Sequence, residues 1–223
     1  FVKVLESTVP FGEINSKPLE MLKRVGLSVT INPLGRKFVE KELKELISDY
    51  DILIAGTEPI TDKVLDCASN LKLISRVGIG LDSVDFNSAR NRNISVCYTP
   101  DAPSPAVAEL TIGLMLSLLR HVHLSNVTMK EGDWRRYYGQ RLCDCIVGVI
   151  GAGRIGKSVV NHLLHFDCKK ILVNDIDQDI RRSINGSTIE WCDKDDIFRN
   201  ADVISLHLPL THETRNLIGR TQI

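Results

Sequence analysis

The sequence carries no excess charge of either sign: 28 lysines and arginines face 28 aspartates and glutamates. It therefore lacks the global field that gathers nucleic acid or an anionic membrane surface. No uninterrupted apolar run reaches the roughly 18 residues of a membrane span, and no signal-peptide pattern opens the chain. There is no initiator Met; Phe1 stands inside a strand-like run, so a few leading residues are expected to be missing. The six cysteines, Cys67, Cys97, Cys143, Cys145, Cys168 and Cys192, include no Cys-x-x-Cys pair. Most lie in apolar runs, where a free thiol behaves as a small hydrophobe, and this points to a reducing cytoplasm. Cys143-x-Cys145 reads as alternation at a strand start. His162 and His165, three apart on a helical stretch, read as a solvated face, so no metal is expected. What remains is a 43% apolar and 25% charged chain of 223 residues, enough for one large globular domain or two small ones.

Residues 1 to about 100 alternate short apolar runs with amphipathic stretches. Strands are predicted at Val2–Leu5, Leu27–Ile31, Asp51–Ala55, Leu71–Ser75 and Ile94–Cys97, with helices at Pro18–Val25, Val39–Ile47 and Thr61–Ala68. Such alternation implies a parallel sheet with helices on both faces. Thr99–Pro105 is a proline-rich hinge, giving domains of 1–100 and 101–223. The helix after it, Ala106–Leu119, is apolar nearly all round and needs cover from both domains or from another subunit. Ser125–Arg141 reads as a polar arm with exposed Trp134, Tyr137 and Tyr138, suited to a subunit interface. A second series of strands and helices starts at Cys145 and still lacks the last strands of a dinucleotide-binding sheet at Ile223.

Within that series, an apolar strand runs into Gly151-Ala-Gly153-Arg-Ile-Gly156 and then into helical spacing, the context that the G-x-G-x-x-G fingerprint requires. Gly151 serves the turn, Gly153 lets a pyrophosphate approach the backbone, and Gly156 lets helix and strand pack closely. The amides and dipole at the helix start attract phosphate. Asp175 ends the next strand roughly 20 residues beyond Gly156, as expected of the acid that binds the adenosine ribose. A carboxylate there repels a 2′-phosphate, which favours NAD over NADP; Arg181 and Arg182 lie too far along to resemble the usual phosphate clamp. His207 ends a strand beside the expected cofactor groove and is a better candidate for lining it than for proton transfer.

A second glycine loop, Ser75-Arg-Val-Gly-Ile-Gly-Leu-Asp-Ser-Val-Asp85, follows the carboxyl end of a strand. Arg76, Gly78 and Gly80 suit an anion. The same residues also make a plain turn in which Asp82 and Asp85 cap the next helix, and the sequence leaves both readings open.

Together these residues resemble the D-isomer-specific 2-hydroxyacid dehydrogenases, most of all their phosphoglycerate-dehydrogenase-like members. The resemblance rests on Arg76–Asp85, Ala108-Glu-Leu-Thr111, Gly132-Asp-Trp134, Val147–Gly156, Asp202–Thr211, Thr214 and Leu217-Ile-Gly219. It implies an α/β chain with a flavodoxin-like substrate domain and a Rossmann-type NAD-binding domain, dimeric through the latter. It implies an NAD enzyme that interconverts a D-2-hydroxy acid and a 2-oxo acid. In such proteins the amides of Val77, Gly78 and Ile79, beside Arg76, hold the substrate carboxylate. Thr111 and the Ile79 loop approach the nicotinamide, Arg154 and Ile155 give amides to the pyrophosphate, and Asp175 takes the ribose. Leu208 and Pro209, with His207 and Thr214 close by, border the adenosine. The family's catalytic Arg, Glu and His are expected beyond Ile223, so no catalytic residue is assigned within this chain, which is expected to be a fragment. Asn174 replaces the usual aromatic or small residue before Asp175. Ala55-Gly-Thr-Glu-Pro59 lacks the basic residue of phosphoglycerate enzymes, and Glu58 is expected to repel a phosphate. The alternative from a different class is an NAD-sensing binding protein, corepressor-like and without turnover. A formate- or phosphite-type dehydrogenase on the same fold ranks lower, because Arg76-Val77-Gly78 resembles the hydroxyacid loop more.

Overall fold

The computed structural model describes residues 1–222; Ile223 lies outside the described residues. The chain divides into two compact units, Phe1–Ala102 and Pro103–Ile223.

The first unit runs β1 (Lys3–Glu6), α1 (Lys17–Arg24), β2 (Ser28–Ile31), α2 (Glu40–Leu46), β3 (Ile52–Ala55), α3 (Asp62–Asp66), β4 (Leu73–Arg76), α4 (Phe86–Asn91) and β5 (Ser95–Tyr98). The strands form one parallel sheet in the order β2-β1-β3-β4-β5. This is the flavodoxin-like order, whose reversal between β1 and β3 opens a crevice outside the carboxyl ends of those strands. Leu5, Leu53 and Ile74 from the sheet bury completely against Phe38, Leu43, Ile47 and Val64. Several strands end a residue beyond their sequence prediction, because polar residues at their carboxyl ends join the ladder. Glu6 pairs with Ile54, and Arg76 with Ala55.

The second unit runs α5 (Ser104–Leu119), α6 (Val122–Lys130), β6 (Ile146–Ile150), α7 (Arg154–Leu164), β7 (Lys170–Asn174), α8 (Gln178–Ser183), β8 (Ile189–Trp191), α9 (Lys194–Asn200) and β9 (Val203–Leu206). Its parallel sheet has the order β8-β7-β6-β9, with the reversal between β6 and β9. Val147, Val149, Ile171 and Val173 bury against Val159, Val160 and Leu163 of α7 and against Ala108, Ile112 and Met115 of α5. Two helices differ from the sequence reading. α6 occupies part of the segment read as a polar arm, set off from α5 by His121 in the left-handed region, φ 53°. α8 starts where the Asp177 side chain accepts the Asp179 amide. Within the second unit one face of α5 is covered, by α7 and the sheet, while Leu110, Leu114 and Leu118 stay open at 56–61% exposure. Among the described residues no single helix is long and apolar enough to cross a membrane, and α5 and α6 are bent by 65° where they meet.

Both sheets carry the same clamp at the end away from the glycine loops. Asp51, before β3, accepts the Lys3 amide of β1 through its side chain at 3.0 Å and returns its own amide to the Lys3 carbonyl at 2.9 Å. Asp202, before β9, does the same to Ile146 of β6, at 2.8 Å for both bonds.

Candidate functional site

In the second unit, β6 ends at Ile150 and the chain turns at Gly151, whose φ of 90° suits glycine. A Cβ there would also collide with the His207 carbonyl. A Cβ on Gly156 would run into the Gly151 carbonyl, so this glycine is needed for the helix to pack back on the turn. Gly153 is different: a Cβ would meet nothing within 4 Å, so the ground in front of it is open to a ligand. Gly153 caps α7, whose first backbone bond runs from Lys157 N to Gly153 O at 2.9 Å. The amides of the opening turn therefore point out of the end of an 11-residue helix, aided by its dipole.

Asp175 is tied to this turn. Its Oδ2 accepts the Ala152 amide at 2.6 Å and its Oδ1 the Asp177 amide at 2.9 Å. Each oxygen keeps a second lone pair for a hydroxyl donor. Asn174 has a structural use: its Nδ2 donates to the Cys192 carbonyl at 2.8 Å, linking β7 to the end of β8. Beside Asp175 a cavity of about 450 Å³ is lined by Gln178, Arg181, Glu190 and Trp191, among others. Sequence distance set Arg181 aside, but α8 turns the chain so that its guanidinium lies over the Trp191 ring, 5.9 Å from the centroid.

After β9, Leu206, Leu208, Pro209, Thr214 and Leu217 line a cavity of about 320 Å³. The Thr214 hydroxyl donates to the Pro209 carbonyl at 2.6 Å, folding the segment on itself. His207 is not in that lining. Its half-buried ring contacts Ser205 Oγ through Nε2 at 2.9 Å, and burial holds its pKa below the ordinary imidazole value. Thr111, on α5, donates its hydroxyl to the Val107 carbonyl at 2.8 Å.

In the first unit, Arg76 is buried at the end of β4. Its guanidinium donates to the Val77 carbonyl, and its buried Nε has no partner among the described residues. It packs directly against Gly78, where φ is 133° and a Cβ would lie 2.7 Å from Arg76 Nη1. The three amides of the loop differ. Val77 N donates to the Ala55 carbonyl at 2.8 Å, and Gly78 N to Thr99 Oγ1 at 2.9 Å. Among the described residues the Ile79 amide has no acceptor. Asp85 caps α4 by accepting the Ser88 amide at 2.9 Å, so the capping and anion readings coexist.

Two carboxyl groups lie beneath this edge. Glu58 is buried and turned inward, accepting the Gly56 amide on both oxygens, at 3.0 and 3.1 Å, and the Ser7 hydroxyl. Glu6, buried beside it, has Oε1 without a partner among the described residues. Burial first, then the nearby Glu58 and Glu13, push its pKa up to about 7 against backbone bonds from Asn32 and Thr8. Nothing in the residue pattern marked Thr99, Ser7 or Glu6, whose partners lie far off in sequence.

Open ground at Gly153, a helix N-terminus behind it and an acid tied to the same turn fit a dinucleotide. Residues 112–223 match the family model described as D-isomer specific 2-hydroxyacid dehydrogenase, NAD binding domain. The chain is 38% identical over 185 residues to a hydroxypyruvate reductase of Thermotoga maritima, covering 82% of this chain and 59% of the reductase. It is 37% identical to a D-3-phosphoglycerate dehydrogenase of Methanocaldococcus jannaschii, covering 100% of this chain and 41% of that enzyme. The chain thus spans about half the length of these curated relatives. The crystal structure of the TT0316 protein from Thermus thermophilus superposes with a TM-score of 0.85 at 30% identity, over 99% of this chain and 69% of that one. The chain belongs to the D-isomer specific 2-hydroxyacid dehydrogenase family, and its second unit carries that family's NAD binding domain.

Proposed function

We propose that the protein is an NAD-dependent oxidoreductase that interconverts a D-2-hydroxy acid and a 2-oxo acid. The observation that carries this reading is the bond from Ala152 N to Asp175 Oδ2, which sets the ribose acid against the glycine turn. Bound NAD supplies the hydride acceptor of the reaction. The turn Gly151–Gly156, with the amides of Arg154 and Ile155, is assigned to the pyrophosphate, and Asp175 to the ribose hydroxyls. Leu208, Pro209 and Thr214 are assigned to the adenosine, Thr111 to the nicotinamide side. His207, held by Ser205, is assigned to supporting the segment that bears them. In the first unit the Ile79 amide takes one carboxylate oxygen of the substrate and Arg76 supplies positive charge behind the loop. A substrate oxygen can replace Thr99 Oγ1 on Gly78 N, while the Val77 amide keeps its bond to Ala55. No described residue is assigned proton transfer.

We infer a homodimer through the second unit, supported by the open Leu110, Leu114 and Leu118 stripe and by exposed Val122, Val127 and Met129 on α6. A cytoplasmic setting is inferred from the six unpaired cysteines. The test is a panel of 2-oxo acids with NADH on the full-length protein, with Asp175→Ala alongside. Turnover is expected, and the variant should lose about tenfold in NAD affinity and discriminate less against NADP. Tight NAD binding without reduction of any 2-oxo acid overturns the oxidoreductase reading. Unchanged cofactor selectivity overturns the assignment of Asp175.

A further inference from the structure

The first sheet reverses its strand order between β1 and β3, and the segment leaving β1 borders that crevice. This segment, with Pro18 and Val77, encloses a cavity of about 430 Å³. Its walls include Val9, Phe11, Ile14 and Val77, and no Lys or Arg lines it. Three of these apolar side chains stand open to solvent: Ile14 at 93%, Val77 at 40% and Val9 at 37% exposure. Apolar groups converging on one concavity mark a place that takes an apolar ligand group.

The polar end of the cavity is formed by Thr8 and Asn15, with no cation beside them in the walls. Thr8 Oγ1 and the buried Glu58 flank the same glycine: a Cβ on Gly56 would fall 2.6 Å from that oxygen and 2.9 Å from Glu58 Oε2. Glu58 cannot swing away, being held by Gly56 N and Ser7 Oγ. A phosphate ester placed here finds no cation in the walls, since the Arg76 guanidinium is turned to the Val77 carbonyl behind them.

We infer that this cavity receives the side chain of the 2-oxo acid and selects an uncharged, apolar one of several carbons over a phosphate ester. The inference rests on the proposed function, since Val77 joins the cavity to the loop assigned to the substrate carboxylate. A carboxylate at Ile79 N leaves the rest of the substrate to extend across Val77 into the cavity.

The experiment measures kcat/KM of the full-length protein with NADH for ketoisocaproate, pyruvate and phosphohydroxypyruvate. Ketoisocaproate is expected to exceed pyruvate by about tenfold or more, the discrimination that added methylenes give in an apolar pocket. Phosphohydroxypyruvate is expected to be the poorest of the three. Ile14→Lys and, separately, Val9→Lys place a cation in the wall at solvent-exposed positions. Each should shift the phosphohydroxypyruvate to ketoisocaproate ratio by about a hundredfold toward the phosphate ester. A wild-type preference for phosphohydroxypyruvate, or a ratio that neither variant moves, overturns the pocket and leaves the proposed function standing. Absence of turnover with every 2-oxo acid overturns the proposed function, and the pocket with it.

Discussion

The two units place buried polar groups differently. Glu6, Ser7, Asn32, Glu58, Arg76 and Ser88 are buried in the first, whereas Ser104 is the one buried polar side chain described in the second. At the working edge of the first sheet, side chains buried under the loops set the charge: Arg76 backs one loop, and Glu58 and Glu6 back another. At the glycine turn of the second sheet, backbone geometry and a helix end present amides, and Asp175, proposed for the ribose, stays half-exposed on the surface of the turn. One edge is tuned by what lies beneath it, the other by the path of its backbone. Buried charge carries a desolvation cost that a backbone amide does not, so the two edges should answer differently to substitution.

The largest effect should come from the glycine turn. Gly156→Val drives a side chain into the Gly151 carbonyl and is expected to unfold the second unit, seen as loss of its melting transition. Gly153→Val meets open ground, so the fold should survive while NAD affinity falls on the order of a hundredfold or more, read by calorimetry. Normal NAD binding by Gly153→Val would show that the ligand does not approach there.

A smaller effect should follow in the first unit. Arg76→Met removes a buried guanidinium whose Nε has no partner, so resistance to urea should hold or rise. KM for the 2-oxo acid should increase roughly ten- to a hundredfold, the range for losing a charged hydrogen-bonding partner. An unchanged KM removes Arg76 from substrate binding.

The smallest effect concerns Glu6. Its folded pKa of about 7 lies above the ordinary 4.5, so the native state favours the protonated acid. That contribution to stability is complete below the unfolded value and is lost as pH rises through the folded one. The first unit's melting temperature should therefore fall by a few degrees between pH 5 and 8 in the wild type. Glu6→Gln should abolish this slope; a slope equal in both would place the titration elsewhere.

Much of this was legible in the sequence because β6, β7 and the strands of the first sheet are short apolar runs bounded by polar residues. The fingerprint turn was legible because Gly151 and Gly156 each answer a local demand of backbone path, while Gly153 leaves open ground. α6 was read as part of a polar arm because His121 breaks the helical register and its own residues alternate without a clean face. Arg181 was set aside as a 2′-phosphate clamp; its place over Trp191 was not legible, because distance along the chain says nothing of how α8 folds back. Glu58 was read as repelling a phosphate; its bonds from Gly56 N and Ser7 Oγ, which turn it inward, carried no signal in the residue pattern. Thr99 and Glu6 gave no signal, since their significance comes from partners that only the fold brings near.

The paired aspartates Asp51 and Asp202 give the two sheets a common reference mark. Each bolts together, at the amino end, the two strands whose carboxyl ends border a crevice. A slip of one residue would turn every side chain of a strand to the opposite face, and the bolt resists it from the end of the sheet opposite the glycine loops. The loops at the far end can thus change length and chemistry without disturbing the strands that carry them. Beyond the buried Ser7, which is bonded into the sheet, the stretch between β1 and α1 is expected to serve as an exchangeable cassette on a fixed chassis. Grafting another sequence into it should retune what the cavity accepts while leaving the sheet as it stands.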